Sequence, residues 1–228
     1  MFKLKHDIQI NLKNEKEVFR LVWLLLSNFV LSAALLGLPD YIWDMTLYRI
    51  SVWVVPWLIA VPAIINCIVR KISWRELLGP HIAFQIIVGC LLGIGLGMVA
   101  YGVTYWLNDG EVAQLYGEDA WVFVRALLKY ILVTGATEEL VYRVAITGTI
   151  EDLLSRNRWI APLAANILFA LSHRIQHGWG DVVCVFVVGI VYTVLYCRWK
   201  KCGYVMIAVL HGVYDFTVLF TPYLLWKL

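Results

Sequence analysis

Read for hydropathy, the chain is a succession of long apolar runs separated by short polar connections. A bilayer-spanning α-helix needs about 20 mostly apolar residues. Val18–Leu38, Ile50–Ile68 and Ile82–Trp106 reach about that length. A fourth stretch, Ala120–Leu154, is longer and carries charges within it. Three more runs follow at Trp159–Arg174, Asp181–Cys197 and Gly203–Phe220. A membrane β-barrel would show short alternating segments instead of continuous runs. The pattern predicts an all-α fold, a polytopic membrane helix bundle of seven or eight transmembrane helices forming one domain over residues 1–228.

The connections decide how the runs cross. Lys3, Lys5, Lys13, Lys16 and Arg20 lie within residues 1–20. Asp40, Asp44 and Arg49 fall in the first connection, and Arg70, Lys71 and Arg75 in the second. The third, 107–119, holds Asp109, Glu111, Glu118 and Asp119 and no Lys or Arg. Arg156 and Arg158 lie in the fourth, and Arg198, Lys200 and Lys201 follow the sixth run. Basic connections stay in the cytoplasm. The alternation closes if 120–154 crosses once, as a tilted or bent helix about 50 Å long, with Gly135 at the bend. Seven crossings then leave the N-terminus cytoplasmic and the C-terminus outside; a break within 120–154 would give eight. Pro56 and Pro62 are placed to kink the second span. The charged start, Met1–Glu17, is long and mixed in sign, unlike a signal peptide.

Composition sharpens this class. Hydrophobic residues make up 61% and charged residues 15%, against about 45–50% and 25% in soluble domains. Mean hydropathy is +0.76. These values argue against a soluble globular protein and exclude a disordered one. The 11 Trp, 12 Tyr and 9 Phe suit aromatic belts at two membrane interfaces. A net charge of +3 is too small and too dispersed to imply nucleic acid as a partner. Cys67, Cys90, Cys184, Cys197 and Cys202 lie in or beside apolar runs without a CxxC pair, so they are expected to be buried free thiols.

Charge inside apolar sequence is costly and points to function. Three clusters carry it. In Glu138-Glu139-Leu140-Val141-Tyr142-Arg143, Glu139 and Arg143 are four apart and can pair on one helix face. Glu138 points about 100° away and shares its face with Tyr142. In the second cluster Phe169 and His173 share a face. His177, four residues on, is a loop residue because Gly178 follows it. In the third, His211 and Asp215 are four apart, so the carboxylate can orient the imidazole. Each cluster alone also fits polar helix packing. Together, Glu138, His173 and His211 can hold zinc with one position open to water, or Glu138 can act as general base with the histidines positioning water or stabilising an oxyanion. Either arrangement hydrolyses.

The order Glu-Glu-x-x-x-Arg, Phe-x-x-x-His, His-x-x-x-Asp, each on its own apolar helix, resembles the CPBP family of intramembrane proteases, also called the Abi or CAAX-protease family. The resemblance covers about 120–220. It implies that Glu138 is the catalytic glutamate and that His173, His211 and Asp215 complete the site, with Glu139, Arg143, Tyr142 and Phe169 in support. Asp215 stands where the family often has Asn. The resemblance implies an endopeptidase acting on a peptide or membrane-protein substrate in the lipid bilayer, with one divalent metal ion, zinc first, or a metal-free water activated by glutamate. The family's bacterial members and the short chain point to a prokaryotic plasma membrane. Two other classes compete: a non-catalytic membrane protein giving bacteriocin immunity or binding a partner peptide, and a small transporter using Glu, His and Asp as a proton relay. The absence of an internal repeat weighs against the transporter.

Overall fold

A computed structural model describes residues 15–35, 45–107, 120–154, 159–175 and 178–227. It is an all-α bundle without strands among the described residues. The helices are α1 (Glu15–Leu35), α2 (Met45–Val69), α3 (Trp74–Leu78) and α4 (Ile82–Leu107), then α5 (Ala120–Lys129), α6 (Ala136–Glu139), α7 (Thr147–Leu153), α8 (Ile160–Ser172), α9 (Trp179–Arg198) and α10 (Tyr204–Lys227). Five stretches are long and apolar enough to cross a membrane: Glu15–Leu35, Met45–Val69, Trp74–Val103, Trp179–Arg198 and Tyr204–Tyr223. The acidic connection 108–119, the basic Arg156 and Arg158, and His177 lie outside the described residues.

The charged stretch after residue 120 is one continuous helical path. Two π-helical turns, Tyr130–Gly135 and Leu140–Ile146, alternate with α5, α6 and α7. The backbone keeps right-handed helical angles at every junction, and the run ends at Leu154 with ψ 58°. π-Turns are rare and concentrate at functional sites. Here they flank the Glu138-Glu139 pair on both sides. Gly135, expected at a bend, has ordinary helical angles (φ −59°, ψ −44°). It serves close approach: a Cβ there would stand 2.3 Å from the Ala208 carbonyl oxygen. Gly212 answers from α10, where a Cβ would meet the Ile131 Cα at 2.4 Å.

On its other side α10 meets α4 just as closely. Gly89, Gly93 and Gly97 recur every four residues, and a Cβ on each would fall 2.9, 2.7 and 2.6 Å from Met206 O, Leu210 O and Thr217 Cβ. Small residues at this spacing let membrane helices pack backbone to backbone. α10 is thus clamped between α4 and the first π-turn, which fixes where His211 points.

Several expectations change. α3 fell within a connection in the sequence reading, yet Ser73 and Glu76 form a reciprocal capping box that starts it. Arg49, read as a connection residue, lies inside α2, which runs unbroken through Pro56 and Pro62. α8 has 13 residues. That is about 20 Å of rise, short of a hydrocarbon core of about 30 Å, so Trp159–Arg174 does not form a full-length span. All five cysteines are free, but only Cys67 and Cys202 are buried; Cys184 and Cys197 are exposed on α9.

Candidate functional site

The site forms where α8 stops. The helix gives way at His173 to one 3₁₀ turn, His173–Ile175. That leaves the His173 imidazole beside α6 and α10. The His173 Nε2 lies 4.0 Å from the Glu138 Oε2, and the His211 Nε2 lies 3.8 Å from the same oxygen. Asp215 Oδ2 stands 3.6 Å from the His211 Nε2. Four residues singled out from three separate runs therefore meet at one point.

The outer ring nitrogens are held elsewhere. His173 Nδ1 donates to the Phe169 carbonyl oxygen at 2.9 Å. His211 Nδ1 pairs with Glu139 Oε1 at 2.8 Å. A carbonyl oxygen can only accept, so the proton of neutral His173 sits on Nδ1 and its Nε2 lone pair faces Glu138. Glu139, an acceptor when ionised, imposes the same tautomer on His211. This differs from the sequence reading, which gave the orienting role to Asp215. Asp215 faces the Nε2 side, beyond hydrogen-bond distance, while Glu139 takes the Nδ1 side. The spacing of four residues was right for contact between His211 and Asp215, but it could not say which nitrogen each carboxylate meets.

The two glutamates have opposite surroundings. The Glu139 side chain is wholly buried, whereas that of Glu138 is 31% exposed. Glu139 Oε2 lies 3.3 Å from Arg143 Nε. Arg143 NH2 in turn donates to Asn166 Oδ1 at 3.1 Å and to the Gly189 carbonyl at 3.3 Å. Asn166 Nδ2 donates to the Phe186 carbonyl at 3.0 Å. A chain of polar contacts thus runs from His211 through Glu139 and Arg143 to α8 and α9. Buried ion pairs persist only where geometry and extra hydrogen bonds offset desolvation.

Aromatic rings wall the same point. Phe169, almost fully buried, has the Arg143 guanidinium 4.2 Å from its ring centre. Its edge-on neighbours are Tyr142 at 5.1 Å, His173 at 4.8 Å and His211 at 5.9 Å. Tyr192 lies 5.3 Å from the His211 ring, and its buried hydroxyl has no hydrogen-bond partner among the described residues.

Sequence reasoning missed Asn166, Gly189, Tyr192 and the link between Glu139 and His211. Asn166 carried a signal, being a lone amide inside an apolar run. Gly189 carried none: it is glycine because Asn166 Oδ1 and Arg143 NH2 occupy the space a Cβ would take, at 2.1 and 2.9 Å.

The donor set suits a divalent metal in chemistry. Two imidazoles turn bare Nε2 atoms to one carboxylate, and both Nδ1 atoms are tied to a carbonyl or carboxylate, the usual support of metal-bound histidines. In spacing the set is wide: no three His, Cys, Asp or Glu side chains among the described residues form a ready-made metal site.

A family model described as type II CAAX prenyl endopeptidase, Rce1-like, matches residues 119–217. No curated protein matches the chain, and no solved structure does. The matched segment, just under half of the 228 residues, contains every side chain of the site described above. Over that segment the chain is similar to the type II CAAX prenyl endopeptidase family that the model describes.

Proposed function

We propose that this protein is an intramembrane endopeptidase that hydrolyses a peptide bond of a peptide or membrane-protein substrate, with Glu138 activating the water. The observation that carries this reading is the convergence of Glu138 Oε2 with the Nε2 atoms of His173 and His211, both within 4.0 Å. Glu138 is the exposed member of its pair and can reach water. It takes a proton from that water as the oxygen attacks the scissile carbonyl, then passes the proton to the departing amine. One product ends in a carboxyl group and the other in an amine. An imidazolium at His173 or His211 presents Nε2–H to the oxyanion as it forms. Glu139 favours that charged form of His211 by accepting from Nδ1. Asp215 lies near enough to His211 Nε2 to hold the water or the substrate amide.

With neutral imidazoles the same atoms could serve as metal ligands. Glu138, His173 and His211 would then hold zinc, which supplies a Lewis acid and an acidified bound water. The loop charges support a cytoplasmic N-terminus in this multi-pass protein, and the resemblance favours a prokaryotic plasma membrane.

The test is a cleavage assay in detergent or proteoliposomes against a library of C-terminal and membrane-proximal peptides. Wild type, Glu138→Gln and chelator-stripped protein run side by side. Cleavage lost only in Glu138→Gln supports the metal-free route. Cleavage lost in both, and restored by zinc to the stripped wild type, supports the metal route. Turnover by Glu138→Gln at the wild-type rate would sink the assignment. A protein that protects cells equally well with Glu138→Gln or His173→Ala would be a binding or immunity factor instead.

A further inference from the structure

A groove of about 280 Å³ lies between the first turns of α2 and the face of α5, away from the site. Arg49, Val52 and Trp53 line it from α2; Val122, Arg125, Ala126 and Lys129 line it from α5. Three of these seven residues are cations and none is acidic. The arginines elsewhere that meet carboxylates, Arg20, Arg70 and Arg143, each have a named partner in Glu17, Asp152 and Glu139. Arg49, Arg125 and Lys129 have no ion pair among the described residues; the Lys129 Nζ lies 5.6 Å from the centre of the Tyr130 ring.

Depth makes this arrangement costly. Arg49 is four residues into α2, about 6 Å along the axis, and Lys129 is nine residues into α5, about 14 Å. The surface beside the groove is apolar and outward-facing, with Val54, Trp121, Val124 and Leu128 all exposed. Unpaired cations bordering a lipid-facing surface call for an anion that arrives from the lipid. The lining supplies both parts of a match: cations and the Trp53 indole for a headgroup, and Val52, Val122 and Ala126 for acyl chain. A free phosphate would use the first part and gain nothing from the second.

We infer that this groove is a binding site for an anionic phospholipid, whose phosphate sits among Arg49, Arg125 and Lys129. The inference is independent of the proteolytic reading, since none of these residues touches Glu138, His173 or His211. It is tested on the intact protein in detergent, by native mass spectrometry and thermal melting with phosphatidylglycerol, phosphatidylcholine or inorganic phosphate. Phosphatidylglycerol should remain bound in preference to phosphatidylcholine and raise the melting temperature, while phosphate does neither. Arg125→Gln with Lys129→Gln should cut that preference about thirtyfold, given the usual contribution of a cation near anionic lipid. Lys200→Gln with Lys201→Gln, at the far end of α9, should leave it intact. Should the double variant fold poorly, Arg49→Gln at the exposed rim gives the same readout with a smaller loss. Equal retention of both lipids, an equal shift with phosphate alone, or an unchanged preference in the groove variants would each overturn the inference.

Discussion

α1 and α2 turn most of their surface outward, as α9 does with 22% of its window buried, whereas the helical path from Val133 to Ile150 and α10 turn theirs toward their neighbours. The spanning window of α1 is 11% buried and that of α2 33%, against 50% for α10. Their polar contacts differ in kind as well. In the first half they are isolated ties, such as Asn28 to the Ile59 carbonyl, and Asn66 makes one more to Thr149 across the halves. In the second half, contacts link His211, Glu139, Arg143, Asn166 and the Phe186 and Gly189 carbonyls across five elements. Lipid tails are as apolar as leucine, so association of membrane helices rests on packing and polar contacts and not on hydrophobicity. One half can therefore change its surface freely, while the other must hold a geometry. The family match falls on the half that holds it.

The sharpest way to probe that difference lies within the second half, between adjacent carboxylates. Glu138→Gln should lower turnover by about 10²–10⁴-fold, the usual range for a general base, with an unchanged melting temperature. Glu139→Gln should lower both, because His211 loses its Nδ1 partner and Arg143 its counter-charge. Parallel cleavage and melting curves decide it. Equal stability losses for the two variants would mean that the pair is a single structural unit.

Arg143→Met comes next. It leaves Glu139 buried without a cation, a loss of about 3–5 kcal/mol when one member of a buried pair is removed. Against a total stability of about 5–15 kcal/mol, that should appear as a large fall in melting temperature and in extractable protein. Arg143→Met with Glu139→Gln should recover part of the loss, because no charge is then stranded.

How far the sequence foretold this half depends on the range of each interaction. The runs, and the unity of 120–154, were legible because hydropathy and loop charge act locally. Glu138, His173, His211 and Asp215 were legible as chemistry, since each puts charge or imidazole where the chain is otherwise apolar. The link from Glu139 to His211 spans 72 residues and depends on which face of α10 meets α6. No spacing encodes that. The first π-turn packs against α10, with Gly135 and Gly212 meeting across it, and the second packs against α2 and α8, pairings that no local spacing encodes. α8 ends early at His173 although the apolar pattern reads on to Arg174. α3 was legible and passed over: Ser73 and Glu76 spell a capping box.

A smaller effect is expected where the halves join. Gly93→Val places side-chain atoms against Leu210 O and Val213, which a Cβ would already approach to 2.7 and 2.8 Å. Overpacking of this kind costs about 1–3 kcal/mol. Because α10 carries His211, cleavage should fall along with the melting temperature. Gly95→Val, on the same helix with open space around its Cβ position, should change neither.

The smallest effect should come from the outward face of α1. Phe29 is 61% exposed and Phe19 70% exposed, and both face away from the packed helices. Phe29→Leu exchanges one apolar surface for another against lipid. The expected change in stability is within about 0.5 kcal/mol, as for substitutions remote from packed features, with turnover unaltered. The measurement is thermal melting in lipid nanodiscs, where the face meets acyl chains as it would in a bilayer. A fall as large as that of Gly93→Val would show that α1 packs against something through this face, and the contrast between a free first half and a constrained second half would fail at its most exposed point.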